Sequence, residues 1–363
     1  MTSRETVQVN HPRQTIVPVS ELQKPRRKVQ KASEPSVQPY RRWVQWGFFL
    51  LVIWIGIEFF IFVTQLQQGK TPAVDRPPGV EAFLPLSALI SLKYWILTGV
   101  LNKIHPASVV LLLFILGISL VLKRSFCSWI CPIGFVSEWL FNLHKKLFDR
   151  PRFLPRWLDY PLRSLKYLLL LFFLKGILVD MNLAALKAFI YSPYNRVADI
   201  KMLLFFTNMS ETTFWTLVIL VLLSILTPHF WCRFLCPYGA LLGVISWLSP
   251  FKIHRNTATC VDCGKCSRVC PANIQVQRHR VVLSDECHTC LQCVDACPVK
   301  DALSVSVTTK KFHLNKKLYP VIIIITFLLF TGVARITGYW QNAISLEEYQ
   351  YHIQHLHEPE YGH

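Results

Sequence analysis

The sequence predicts an α-helical integral membrane protein of about five transmembrane helices, with a small α+β module inserted before the last of them. Three observations predict it. Hydrophobic residues make up 52% of the chain's 363 and gather into apolar runs that approach bilayer-crossing length. Lys and Arg rise and fall in density between those runs. Eight of the twelve cysteines form two identically spaced runs between residues 260 and 297.

The apolar runs lie at 43–66, 107–122, 165–179, 214–227 and 319–337. A helix needs about 20 such residues to cross, so the shorter runs must borrow flanking aromatic or amphipathic residues. The first is too long for the core of a signal peptide, lies behind residues 1–42 and is followed by no small-residue cleavage site. It reads as an uncleaved anchor.

The formal charge is +18, and nine Lys and Arg fall in 1–42, nine in 123–166 and twelve in 229–317, against four in 65–105, four in 175–212 and one after residue 334. That alternation follows the positive-inside rule for five spans. It places the N-terminus and the cysteine-rich insert in the cytoplasm and the C-terminus outside. The basic charge then reads as a topology signal with attraction to membrane lipid, not as a nucleic-acid footprint.

In chain order, residues 1–42 are polar, basic and without helical period, a disordered tail. Residues 43–250 form a four-helix membrane region, in which 83–101 is an amphipathic or re-entrant stretch at the outer surface and 137–163 lies along the inner interface. The module spans 251–310, the fifth transmembrane helix 317–338, and the external tail 339–363. Residues 123–140, KRSFCSWICPIGFVSEWL, echo 229–248, HFWCRFLCPYGALLGVISWL. The echo suggests two helix pairs ending in one repeated device.

The two cysteine runs are Cys260-x2-Cys263-x2-Cys266-x3-Cys270-Pro271 and Cys287-x2-Cys290-x2-Cys293-x3-Cys297-Pro298. Bacterial ferredoxins wrap two [4Fe–4S] clusters with this spacing, the fourth cysteine of each run crossing to the other cluster. The expected sets are Cys260, Cys263, Cys266 and Cys297 for the first cluster, and Cys270, Cys287, Cys290 and Cys293 for the second. Two four-cysteine zinc sites or disulfides are the alternatives, and zinc ribbons usually separate their cysteine pairs more widely.

The remaining cysteines form two Cys-x3-Cys-Pro pairs, Cys127/Cys131 and Cys232/Cys236. On a helix, i,i+4 spacing puts both thiols of a pair on one face. Four thiols meeting near the inner membrane face could hold a third Fe–S cluster or another metal, or act as a reversible dithiol; buried structural cysteines are the plainer alternative. His105 and His229 at span boundaries, and His144 beyond, read as interfacial histidines, with a quinone or haem role as the alternative. The chain has no C-x-x-C-H, no G-x-G-x-x-G and no Walker loop, so covalent haem and nucleotide chemistry have no support.

The two Cys-x3-Cys-Pro devices, the RPPGVEAFLP segment, the CPYGALLG segment and the twin ferredoxin runs together resemble the NapH/NosR group of membrane polyferredoxins. The five-span layout with an external tail is most similar to its YccM-type subgroup. The resemblance covers roughly residues 40–340. It implies a bacterial inner-membrane protein, an electron carrier or quinol-oxidising subunit rather than a stand-alone enzyme, passing electrons between quinone and a redox partner protein. It carries the cluster-ligand role to the eight ferredoxin cysteines and the family's Cys-x3-Cys-Pro positions to Cys127, Cys131, Cys232 and Cys236. An accessory or redox-sensing role beside a metalloenzyme is the alternative function.

Because the spans need no iron to form, Cys263→Ser is expected to remove one cluster's EPR signal while membrane insertion persists. Failure of the variant to reach the membrane fraction would contradict a module separable from the helices.

Overall fold

The computed structural model describes residues 35–148, 154–307 and 313–361. Most of the expected N-terminal tail, 1–34, lies outside them. Helix α1 spans Gln38–Gln67, with a proline in its first turn, where a missing N–H costs nothing. Its 30 residues reach about 45 Å at 1.5 Å per residue.

Six further helices build the first half of the molecule: α2 (Pro85–Thr98), α3 (Pro106–Leu122), α4 (Pro132–Leu147), α5 (Arg156–Leu174), α6 (Leu183–Ile190) and α7 (Ala198–Thr207). After them come α8 (Glu211–Leu226), α9 (Pro237–Ile245), α10 (Leu318–Ile336) and α11 (Leu346–Gln354). By length and composition α1 and α10 can cross a bilayer. Two bent pairs can each make one more span: α5, extended through a wide turn to Asp180, with α6 at 111°, and α7 with α8 at 78°. The described residues thus hold two to four candidate spans, and α3 is a shorter apolar helix of 17 residues.

Helix α3 is apolar on every side because it lies inside. Val109, Leu112, Phe114, Ile115 and Ile118 are all buried, and the helix packs against α2, α9 and α10. Phe114 meets Phe327 and Phe330 of α10 edge-on, with ring centroids 5.5 and 5.9 Å apart. A helix hydrophobic all round belongs in a core.

A small antiparallel sheet, ordered β1-β2-β3, sits at one end of this bundle. Strand β1 (Phe251–Arg255) pairs with β2 (Leu303–Val307), placing Ile253 opposite Val305, and β2 pairs with β3 (His313–Leu314). Both cysteine runs lie in the chain between β1 and β2.

At the opposite end, an ion network that no sequence pattern announces is sealed inside the fold. Arg76 donates to Asp199 at 2.7 Å and to Glu81 at 2.9 Å. Glu81 also accepts the Ser108 N–H at 2.9 Å, and the His105 ring lies 3.5 Å away. Arg76, Glu81, Asp199 and His105 are all buried. Above this network the C-terminal segment, expected only as a tail, folds as α11: Tyr349 packs against Phe62 of α1, Glu348 pairs with Arg196, and His352 bonds the Tyr361 hydroxyl at 2.6 Å.

Removing Arg76 strands two buried carboxylates, which typically costs about 3–5 kcal/mol. Arg76→Met is therefore expected to lower stability by that order in detergent unfolding, with the cysteine-rich end still able to bind iron. Unchanged unfolding would mean the network contributes nothing net.

Candidate iron–sulfur site

Each cysteine run folds as a loop and then one short helical turn, Lys265–Arg268 in the first and Gln292–Asp295 in the second. The two loops repeat one backbone device. Asp262 and Gly264 in the first, and Thr289 and Leu291 in the second, hold positive φ of 50°, 72°, 46° and 61°. Alternating left- and right-handed residues turn successive N–H groups to one side, forming the concave nests that receive anionic groups. Leu291 and Thr289 hold this conformation without glycine's freedom, a strain that collects at functional sites. At Gly264, φ is +72° and an added Cβ would lie 3.0 Å from Gln277 Oε1.

The folded loops ring two cavities. Cys260, Cys263, Cys266 and Cys297 line one, and Cys270, Cys287, Cys290 and Cys293 line the other. The fourth cysteine of each run thus stands with the first three of the other. Among the described residues no three His, Cys, Asp or Glu side chains converge closely enough for a single metal ion. The sulfurs surround a space instead, which fits a cubane with iron at its corners. Burial also sets a cost on loading iron. Burial, then neighbouring cysteines, pushes Cys290 up to about 12 and Cys270 up to about 11. Backbone N–H groups of Ala272 and Ile274 on Cys270, and of Gln292 on Cys290, pull the other way. The bare thiols stay protonated at neutral pH, so loading iron must displace protons.

The cavities differ in setting. Cys263 is exposed and Val261 beside it is 48% exposed, whereas the second run is fastened to the helices. Lys123 Nζ donates to the Val282 and Ser284 carbonyls at 3.0 and 2.9 Å, and Arg124 to the Asp285 carbonyl at 2.8 Å. Trp129 Nε1 donates to the Thr289 carbonyl at 3.1 Å, and Thr289 Oγ1 returns a bond to the Leu122 carbonyl at 2.9 Å. Lys166 pairs with Glu286. Burial alone would raise the Glu286 carboxyl; Arg124 and Lys166 outweigh it and hold it below the usual carboxylate range. Asp295 accepts from the Val37 N–H at 2.9 Å and pairs with Lys316, tying the loop to the starts of α1 and α10.

The Cys-x3-Cys-Pro pairs depart from the expected i,i+4 stacking of both thiols on one helix face. Cys127 lies in a short turn, Ser125–Trp129, and Cys232 in the wide turn Trp231–Leu235. Cys131 and Cys236 are extended N-caps of α4 and α9. The following proline disfavours helical geometry at the residue before it, so the thiols of a pair are not stacked on one helix face. Gly134 is required by contact: an added Cβ would sit 2.0 Å from the Cys127 carbonyl oxygen. Cys236 Sγ accepts the Gly239 N–H at 3.2 Å. The four thiols still gather. Burial, then Cys236 and Cys127, raises Cys232 to about 12, and Cys131 is raised by burial and by Cys127, Cys232 and Cys236.

Between these motifs and the second run lies a further chamber, lined among others by Cys127, Cys232, His229 and His288. Burial lowers His229 to about 4 and His288 to about 3, leaving two neutral imidazoles. Glu138 on the chamber wall is raised by burial but brought down to about 2 by the Arg41 guanidinium. Sequence reading placed His229 at a span boundary and passed over His288, Glu138, Arg41 and Glu286. His288 sits inside a cysteine run whose spacing drew all the attention, and the others gain meaning only through partners far along the chain.

A family model described as a 4Fe-4S binding domain matches residues 104–151 and again 212–256, the two echoing segments. One described as a 4Fe-4S dicluster domain matches residues 252–298. YccM of Escherichia coli (strain K12), assigned by its name to electron transport, is 43% identical over 304 residues, which cover 82% of this chain and 85% of that protein. The ferredoxin-type protein NapH of Haemophilus influenzae is 31% identical over 227 residues, covering 60% of this chain and 72% of NapH. The regulatory protein NosR of Stutzerimonas stutzeri is 28% identical over 174 residues, covering 46% of this chain and 22% of NosR. No solved structure matches. On the match to YccM and the two 4Fe-4S family models, the chain belongs to the NapH/NosR-type family of 4Fe–4S membrane proteins, a family of electron transport.

Proposed function

We propose that the protein relays electrons between the membrane quinone pool and a redox partner protein through two [4Fe–4S] clusters. Cys260, Cys263, Cys266 and Cys297 hold the first, and Cys270, Cys287, Cys290 and Cys293 the second. When bound, such clusters supply one-electron carriers whose potentials depend on hydrogen bonds to sulfur, local charge and burial. The observation that carries the reading is the unequal setting of the two cavities. One is clamped to the helices by Lys123, Arg124 and Trp129, and the other faces solvent at Cys263. A centre held against the membrane suits exchange with quinol, and an exposed one suits a docking partner.

Five spans cross the bacterial inner membrane in this reading: α1, α3, α5 with its extension, α8 and α10. The membrane region is 43–250, the module 251–310, the fifth span 317–338 and the external segment 339–363. The charge alternation places the N-terminus and the module in the cytoplasm and α11 outside. Membrane lipid is then a constitutive partner. Cys127, Cys131, Cys232 and Cys236 form a third redox or metal site between the helices and the module. The work of the chain is to bury the centres, direct backbone N–H groups at their sulfurs and hold the second beside the membrane. A relative named a regulatory protein favours one further reading, a redox-sensing or assembly role using the same cysteines.

EPR of anaerobically purified protein in liposomes, before and after addition of menaquinol, tests the relay. Reduced-cluster signals are expected with menaquinol alone; signals that appear with dithionite but never with menaquinol would end the quinol reading in favour of the accessory role. Cys232→Ala is expected to leave both ferredoxin signals intact under dithionite and to abolish their reduction by menaquinol. Undiminished reduction would return the Cys-x3-Cys-Pro cysteines to a purely structural part.

A further inference from the structure

We propose that the chamber between the Cys-x3-Cys-Pro motifs and the second cysteine run holds a third iron–sulfur centre of mixed ligation, with His229 Nε2 and His288 Nδ1 as ligands beside the thiolates of Cys127 and Cys232. This rests on the third site proposed above and specifies the atoms that compose it.

The first support is the donor set. Cys127, Cys232, His229 and His288 line one chamber, as the ferredoxin cysteines line the two cysteine-ringed cavities. The second is an unmet demand. His229 Nε2 and His288 Nδ1 are both shielded from solvent and have no hydrogen-bond partner among the described residues. Their rings lie 6.2 Å apart, centroid to centroid. A buried polar atom without a partner costs free energy, and native folds leave few of them. Two on neighbouring rings, tilted at 53° to each other at one chamber, point to a shared occupant that engages both nitrogens.

The third support is the division within each cysteine pair. Cys131 and Cys236 do not line the chamber. They stand one turn back as N-caps of α4 and α9, where Cys236 Sγ takes the Gly239 N–H. The first cysteine of each pair is therefore the one presented to the occupant. The donors stand apart round the chamber, as they do in the two other cavities, and no three of them converge on a point. Soft thiolate and borderline imidazole donors are the set that iron–sulfur centres accept.

Mixed ligation has an electronic consequence. A neutral imidazole in place of an anionic thiolate leaves less negative charge to oppose an incoming electron, and raises the potential. The third centre should therefore titrate above both ferredoxin clusters.

The test uses full-length protein purified anaerobically, in wild-type and ¹⁵N-histidine-labelled forms, with iron analysis, EPR redox titration and pulsed EPR of nitrogen couplings. Expected are more iron than two cubanes supply and a third signal at the highest potential of the three. That signal should carry strong nitrogen couplings that shift on histidine labelling and vanish in a His229→Ala, His288→Ala double variant. His229→Cys keeps a soft ligand, so it should retain the third centre's iron, lose one coupling and lower the potential. It serves where the alanine variants fail to load. A third signal without nitrogen couplings overturns the histidine ligation and leaves a four-thiol site standing. Iron for two clusters and only two signals, in wild-type protein, overturns the third site itself and returns the chamber to water.

Discussion

The loop from Val282 to Asp295 is gripped by cations rooted in the membrane helices, and the geometry of the whole cysteine-rich end follows from that grip. Lys123, Arg124 and Lys166 are buried, and each finds its partners on this one loop, in backbone carbonyls or in Glu286. Buried cations are tolerated only when their partners arrive with good geometry. The loop in turn cannot leave without stranding them. Basic side chains of two helical segments thus hold the cysteine-rich loop in place. The outcome is one cavity immobilised against the helices and another left open to solvent.

Burial does opposite things to the groups around these cavities, opposing metal at the thiols and favouring it at the imidazoles. It raises the thiols Cys290 and Cys270, so that without iron they stay protonated. It lowers the imidazoles of His229 and His288, so that they keep their lone pairs. Backbone N–H groups aimed at sulfur, arranged by the left-handed residues at 262, 264, 289 and 291, offset part of the thiolate cost. Carboxylates nearby are held ionised by specific guanidinium and ammonium partners, as Glu138 is by Arg41. The local chemistry is thus set by low polarity, corrected residue by residue.

The far end of the bundle solves a different problem with the same means. Arg76, Glu81, Asp199 and His105 lock three separate segments together, and α11 closes over them through Tyr349 and Glu348. The segment that looked like a mere tail is therefore part of the packed structure, and its His352 is engaged with Tyr361. Bent helix pairs between the two ends join short apolar runs into candidate spans.

How much of this was legible in the sequence depended on the range of the constraint. Cluster chemistry imposes a local spacing, so the ferredoxin runs and the crossing of Cys270 and Cys297 could be expected from the order of residues alone, and the structure gathers those residues round two cavities. Lipid imposes a local composition, so apolar helices and their alternation with basic segments were also open to reading. The echo of the Cys-x3-Cys-Pro motifs was visible, but the i,i+4 stacking expected of each thiol pair does not form, because Cys131 and Cys236, each before a proline, are extended N-caps. Only the tertiary structure decided which cation meets which carboxylate, that α11 folds back on α1, and that His229 and His288, 59 positions apart in the sequence, face one chamber. Those pairings depend on burial and on contacts between distant segments, and neither spacing nor composition encodes either.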